Sequence, residues 1–147
     1  MRVSVQSQDF DLATALHGFG TAKNTGATVT FTGLVRDDTG QLDYMEIEHY
    51  PGMCENAILK IAQDAEQRWG LTDCLVIHRY GKLNVGAQIM MVATAGRHRV
   101  DAFDAATFLM DYLKSRAPFW KKEVSLGGAS SEWVSAKDSD ETALKRW

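Results

Sequence analysis

Lys114 and Lys121 flank Pro118 in the stretch Asp111-Tyr112-Leu113-Lys114-Ser115-Arg116-Ala117-Pro118-Phe119-Trp120-Lys121-Lys122-Glu123, and both lie beside large apolar residues. A partly desolvated lysine binds anions or acts as acid, base or nucleophile, so these two are the first candidates for chemistry. Arg116 reads as a solvated or capping cation in the last turn of a helix. A second cationic group, Arg97-His98-Arg99, stands just ahead of a long helical pattern. Free backbone donors and the positive dipole end attract anions at such a place. Arg36 is delivered at the end of a β-branched strand beside the polar loop Asp37 to Gln41, a placement that suits anion recognition or, equally, a surface salt bridge to Asp37 or Asp38.

Other residue types offer less. The histidines at 17, 49, 78 and 98 show no HxH or HExxH spacing, and Cys54 and Cys74 form no metal or redox motif. No metal site is expected, and both cysteines read as buried thiols of a reducing cytosol. His78, inside an apolar strand, reads as a structural histidine. Gly18 to Lys23 has the look of a phosphate loop but follows a helix and lacks the full glycine pattern.

Positioning these residues requires several elements. Arg2 to Gln6 alternates like a short strand, and Asp9 to Leu16 opens a short helix that Gly18 and Gly20 end. Gly26 to Arg36 is a strand with Ala27, Val29, Phe31 and Gly33 on one face, and Gly33 predicts a bulge or a close backbone approach. Tyr44 to Tyr50 alternates again and is closed by Pro51-Gly52. From Met53 the period becomes helical, through Cys54, Ala57, Ile58, Ile61, Ala62, Ala65 and Trp69, until Gly70. Leu75 to Gly81 is a strand, Asn84-Val85-Gly86 a turn, and Gln88 to Ala95 a strand buried on both faces. The second long helix carries an apolar stripe of Phe103, Ala106, Met110, Leu113 and Ala117, with Asp101 and Asp104 at its N-terminal end. Pro118 stops it at about Ala117. Beyond it, strand parity puts Phe119, Lys121 and Glu123 on one side and Trp120, Lys122 and Val124 on the other, so the two adjacent lysines are not interchangeable. After Gly127-Gly128 a strand is expected over Glu132 to Ser135, and a short helix or tail over Asp138 to Arg146.

Composition frames these features. The 147 residues fit one domain with a real core, 45% of them apolar and 24% charged. A net charge of -3 leaves no basic excess for nucleic acid as the main partner, and no apolar run reaches membrane-span length. A cytoplasmic protein is expected. Geometry adds one constraint: at ~1.5 Å per residue, a straight helix separates Arg99 from Lys114 by roughly 22 Å. One small ligand cannot touch both within a subunit, so if they serve one pocket a second copy must bring one of them, most simply in a two-fold dimer.

Taken together, Val29-Thr30-Phe31-Thr32-Gly33-Leu34-Val35-Arg36, Glu48-His49-Tyr50-Pro51-Gly52-Met53, Val76-Ile77-His78-Arg79-Tyr80-Gly81, His98-Arg99, Met110 to Lys121 and Lys145-Arg146-Trp147 resemble, in order, the blocks of the molybdopterin synthase catalytic (large) subunit, the MoaE family. The resemblance implies an α+β fold of the α/β-hammerhead type, a single domain with a mixed or antiparallel sheet and two long packing helices. It implies conversion of cyclic pyranopterin monophosphate to molybdopterin, two sulfurs arriving as a thiocarboxylate on the C-terminal Gly-Gly of a small ubiquitin-like subunit. The implied assembly is a central homodimer within a heterotetramer, and the implied cofactor is none. By the same resemblance Lys114 and Lys121 are catalytic. Phe31, Leu34, Val35, Arg36, His98, Arg99, Met110, Lys122 and Glu123 are the substrate-binding positions, with His98 and Arg99 coming from the neighbouring subunit. Leu34 stands where family members often carry a lysine, and Lys137 where an arginine is common. Two other classes fit the same residues: a non-catalytic docking module for a ubiquitin-like tail, and a different anion-handling enzyme on a similar fold.

Overall fold

The computed structural model describes residues 1–131, Trp133 and residues 138–147. Two sheets divide the strands. In the first, β1 (Arg2–Gln6), β4 (Asp73–Arg79), β6 (Gln88–Gly96) and β2 (Ala27–Leu34) lie in the order β1-β4-β6-β2, with β1 parallel to β4 and the other neighbours antiparallel. In the second, β3 (Leu42–His49) is flanked antiparallel by β5 (Gly81–Asn84) and β7 (Phe119–Ser125). This is the α+β arrangement expected.

The helices α2 (Met53–Trp69) and α3 (Arg99–Ser115) pack together on one face of the four-stranded sheet. Between them lies the main core, in which Ile58, Ala62, Ala65, Val76, Val92 and Leu109 are fully enclosed. Against the opposite face, the short α1 (Leu12–Ala15) and Phe10, Leu16 and Phe19 cover Leu75, Ile77, Met91 and Ala93, so β6 is buried on both sides as its apolar run predicts. A third cluster of Val35, Ile47 and Leu83 lies under the second sheet, and Phe119 packs against both this cluster and the main core.

The helix ends follow local rules. Gly70 takes φ 57° and stops α2, while Glu55 accepts a 2.6 Å hydrogen bond from the Gly52 N–H at its start. The register shift between Gly33 and Leu34 is the expected bulge. Helix α3 ends at Ser115 with Arg116 as its cap, two residues before the proline.

Two expectations need correction. The expected stripe of α3 holds at Ala106 and Leu113, buried together with Ala102, Ala105, Phe108 and Leu109, and at Met110 and Ala117, half-buried against the core, whereas Phe103 is 60% exposed. Small residues face the sheet because they let the helix approach closely enough for the buried Thr94 hydroxyl to donate to the Ala102 carbonyl at 2.7 Å. Chain 81–84 is a strand of its own: Gly81, at φ 93°, turns the chain out of the first sheet and into the second. The strand expected over Glu132 to Ser135 lies outside the described residues apart from Trp133, as does Lys137.

At the C-terminus, α4 (Asp138–Ala143) and a 3-10 turn (Leu144–Arg146) dock on α3. Asp111, buried on α3, accepts hydrogen bonds from Arg146 Nε at 2.9 Å, Arg146 Nη2 at 3.1 Å and Trp147 Nε1 at 2.6 Å. The Trp147 ring meets Trp69 and Phe108 edge-on.

Candidate functional site

Strand pairing decides which cations meet. Leu34 is opposite Gln88 and Ala27 opposite Gly96, so the Arg36 end of β2 lies beside the start of β6. Helix α3 leaves the far end of β6 and runs back across the sheet, Ala102 near Thr94 and Leu113 in the cluster that holds Met90. Its last turn therefore returns to the Arg36 end, where the chain passes Pro118 and enters β7. Arg36, Lys114 and Lys121 share one end of the molecule; Arg97, His98 and Arg99 stand at the other. The structure thus keeps apart the two groups that the helix length separates by roughly 22 Å.

Each cation is held differently. Arg36 Nε lies 3.1 Å from Asp38 Oδ2 with both side chains largely in water, the surface pair named as the alternative. Lys114 Nζ, about half exposed, lies 3.9 Å from Asp140 Oδ1 on α4. Arg116 donates to Glu141 Oε1 at 2.7 Å, an exposed pair that raises the guanidinium's pKa and suits its expected capping role. The C-terminal helix thus sets two carboxylates against the last turn of α3, a contact the sequence did not announce.

Lys121 and Lys122 point to opposite faces of β7. Lys121 is opposite Ile47, on the face of the buried Ile47 and Leu83 and of Phe119, and it is half-buried. Lys122 is opposite Glu46, 3.9 Å from its carboxylate, and sits over the Trp133 ring at 4.5 Å. The predicted difference between the two lysines holds. Glu123 is exposed, and its backbone N–H donates to Ser131 Oγ at 2.9 Å.

The remaining candidates divide by exposure. Phe31 and Leu34 are open on the edge strand β2, 41% and 56% exposed. Val35 is not available as a side-chain contact: it is buried, its N–H donates to Ala87 O at 2.9 Å, and its carbonyl accepts from Gly86 N at 2.8 Å. It anchors its neighbours Leu34 and Arg36 instead. His98 caps α3 in an extended conformation without using its side chain, and it is exposed together with Arg97 and Arg99. Gly26, not singled out by sequence, lies against this link. A Cβ there would overlap the Arg97 carbonyl oxygen, and the Gly26 N–H donates to Gly96 O at 2.9 Å.

Burial sets the chemistry of the other titratable groups nearby. His78 is 2% exposed, with its pKa lowered to about 3 by burial first and then by Lys121; it is the structural histidine expected. The Cys74 thiol is pushed up to about 12 by burial, and Cys54 is raised for the same reason. Raised in this way, both thiols are poor nucleophiles in the folded protein.

Fold and site together define an α+β protein that gathers cations at one end of a mixed sheet and pairs two inequivalent lysines across a helix-to-strand junction. The model of the MoaE protein family matches residues 5–116. A molybdopterin synthase catalytic subunit from Cereibacter sphaeroides is 62% identical, with 100% of both chains covered. Among solved structures, molybdopterin cofactor biosynthesis protein E from Burkholderia multivorans is similar at 46% identity and a TM-score of 0.83, over 99% of this chain and 95% of that one. Molybdopterin synthase from Staphylococcus aureus is similar at 29% identity and a TM-score of 0.80, over 88% and 94%. The chain belongs to the MoaE family.

Proposed function

We infer that this chain is the catalytic subunit of a molybdopterin synthase. It converts cyclic pyranopterin monophosphate to molybdopterin by transferring to it two sulfurs from the C-terminal thiocarboxylate of a small ubiquitin-like sulfur carrier. Residues 1–147 serve as one catalytic domain, two copies form the central dimer, and a sulfur carrier docks on each. Cys54 and Cys74, both buried as free thiols, suit a reducing compartment, and we place the protein in the cytoplasm.

The carrying observation is the placement of Lys114 and Lys121 on either side of one short junction, at the end of the sheet that also bears Arg36. A thiocarboxylate and a phosphorylated pterin are both anions, so cations gathered there bind them and stabilise charge that develops as sulfur attacks and oxygen leaves. Lys114, more exposed, is assigned to the incoming tail. Lys121, on the core-facing side of β7, is assigned to the pterin and to proton transfer. Arg36 and the partner copy's equivalents of His98 and Arg99 hold the phosphate, Phe31, Leu34 and Met110 line the pocket, and Lys122 and Glu123 support it from β7.

The test is a product assay with purified protein, a thiocarboxylated sulfur carrier and the cyclic pterin, detecting the dithiolene pterin. Wild type forms product and Lys114→Ala forms almost none. A folded wild type that binds the carrier without making product would mark the chain as a docking module.

A further inference from the structure

Pro118 and Phe119 join the turn that carries Lys114 to the strand that carries Lys121, and two buried side chains from other elements hold that step. Cys54, on α2, donates its thiol to the Pro118 carbonyl at 3.1 Å. His78, at the end of β4, lays its ring on Phe119 with centroids 3.8 Å apart and planes 13° from parallel. Its Nδ1 lies 2.9 Å from the Arg79 carbonyl oxygen. A carbonyl only accepts, so Nδ1 carries the proton of a neutral ring. That bond accounts for a polar ring among apolar neighbours, where an unbonded one would be costly. On the second sheet, Phe119 is opposite His49, whose own ring stacks on Tyr80 at 3.9 Å and 20°.

The consequence runs along the strand. Phe119 and Lys121 share a face of β7 at about 7 Å separation, two residues apart along a stiff, paired backbone. With the β3 pairing of Ile47 to Lys121, the hold on the Phe119 ring bears on where Lys121 leaves the sheet. Lys114, by contrast, is placed by α3 and touched by α4. The two placements meet at the Phe119 step, which is held by a ring from a sheet that carries neither lysine.

We propose that His78 is a positioning residue for sulfur transfer: stacked on Phe119, it holds the first residue of β7 and so sets Lys121 relative to Lys114. This rests on the reading of Lys121 as a catalytic group. Burial of the ring, with Lys121 nearby, keeps it neutral, so it acts by contact and not by charge.

Two variants separate contact from bulk. His78→Phe keeps a ring in the stack, whereas His78→Leu fills similar volume without one; Phe119→Leu removes the other ring and guards against a fold defect peculiar to position 78. All are assayed at a temperature where circular dichroism shows them folded. His78→Leu and Phe119→Leu should lower kcat by ten- to a hundredfold, the scale of a misplacement of about 1 Å, with KM and carrier affinity within twofold. His78→Phe should stay within threefold of wild type. A parallel readout needs no turnover. In protein labelled with 15N-lysine, the Lys121 side-chain signal, assigned through Lys121→Arg, should move in His78→Leu, stay near its wild-type position in His78→Phe, and leave Lys114 unmoved. Wild-type kcat with an unmoved Lys121 signal in folded His78→Leu would overturn the proposal, as would equal losses in the Phe and Leu variants. If Lys121→Ala keeps full activity, the catalytic reading of Lys121 fails, and the lysine spectra still decide whether His78 positions it.

Discussion

Removing the carboxylate of Asp111 should loosen the C-terminal segment by an amount the structure allows to be worked out. Asp111 is buried at 9% exposure and accepts three hydrogen bonds, two from Arg146 and one from the Trp147 indole. Hydrogen bonds to a charged group contribute about 1.5–3 kcal/mol each. Arg146 is 55% exposed, so water replaces much of what it loses and its pair of bonds is discounted to about 1 kcal/mol. The indole bond, at 2.6 Å beside Trp69 and Phe108, keeps its full value of roughly 1.5–3 kcal/mol. Asp111→Ala should therefore cost about 3 kcal/mol. At ~2–4 °C per kcal/mol for a chain of this size, Tm falls by roughly 6–12 °C. The assay is thermal unfolding followed by circular dichroism at fixed protein concentration, since association adds to apparent stability. Intrinsic fluorescence of the four tryptophans, Trp147 among them, gives a second probe. A fall below about 2 °C would refute the reasoning, because it would mean that water replaces the indole bond as readily as the guanidinium bonds.

Gly26→Ala should destabilise by about 1–3 kcal/mol, since its Cβ would overlap the Arg97 carbonyl, and should raise the KM for the phosphorylated pterin by shifting the link that bears His98. Urea midpoints and steady-state kinetics check both effects. His78 has a folded pKa of about 3 against an ordinary value of 6.5, so between those values the unfolded chain binds the extra proton. Its share of stability is complete above pH 6.5 and is lost as pH falls toward 3, at up to about 1.4 kcal/mol per pH unit, and His78→Leu should show a flatter profile of urea midpoint against pH. Native protein at pH 8 should alkylate slowly with iodoacetamide at both Cys54 and Cys74 and rapidly once unfolded in urea, because burial raises both thiols. Fast native labelling by mass spectrometry would contradict that burial.

Where one residue type at one period sets an element, the sequence was enough to read it. The α2 stripe from Cys54 to Ala65, the stop at Gly70, the bulge at Gly33 and the opposed faces of Lys121 and Lys122 all follow from local rules, and the structure has them. The α3 stripe holds at Ala106, Met110, Leu113 and Ala117 and fails at Phe103, which looks like core by residue type, yet the sheet takes Ala102 and Ala105, whose small side chains carry a weak hydrophobic signal. Strand β5 was missed because four residues, Gly81 to Asn84, are too few for a period, and their partner Tyr44 to Ile47 lies far away in sequence. The docking of Asp111 on Arg146 and Trp147, and with it the Asp140 contact to Lys114, spans the chain from α3 to its end and has no local signature. Gly26 could have been found only by knowing that the Arg97 carbonyl passes over it. The site was legible as residue types and as a family likeness. Which cations share an end of the sheet needed the β2 to β6 register.

In the proposed enzyme Lys114 of one copy and His98 and Arg99 of another build one site, and subunit exchange tests this most directly. Lys114→Ala and His98→Ala homodimers should each be nearly inactive. When the two are mixed and allowed to exchange, hybrid dimers carry both lesions in one site and none in the other, so product formation should recover to about a quarter of the wild-type rate. No recovery, with hybrids present by native mass spectrometry, would place the lysine and the histidine in separate sites and contradict the shared pocket.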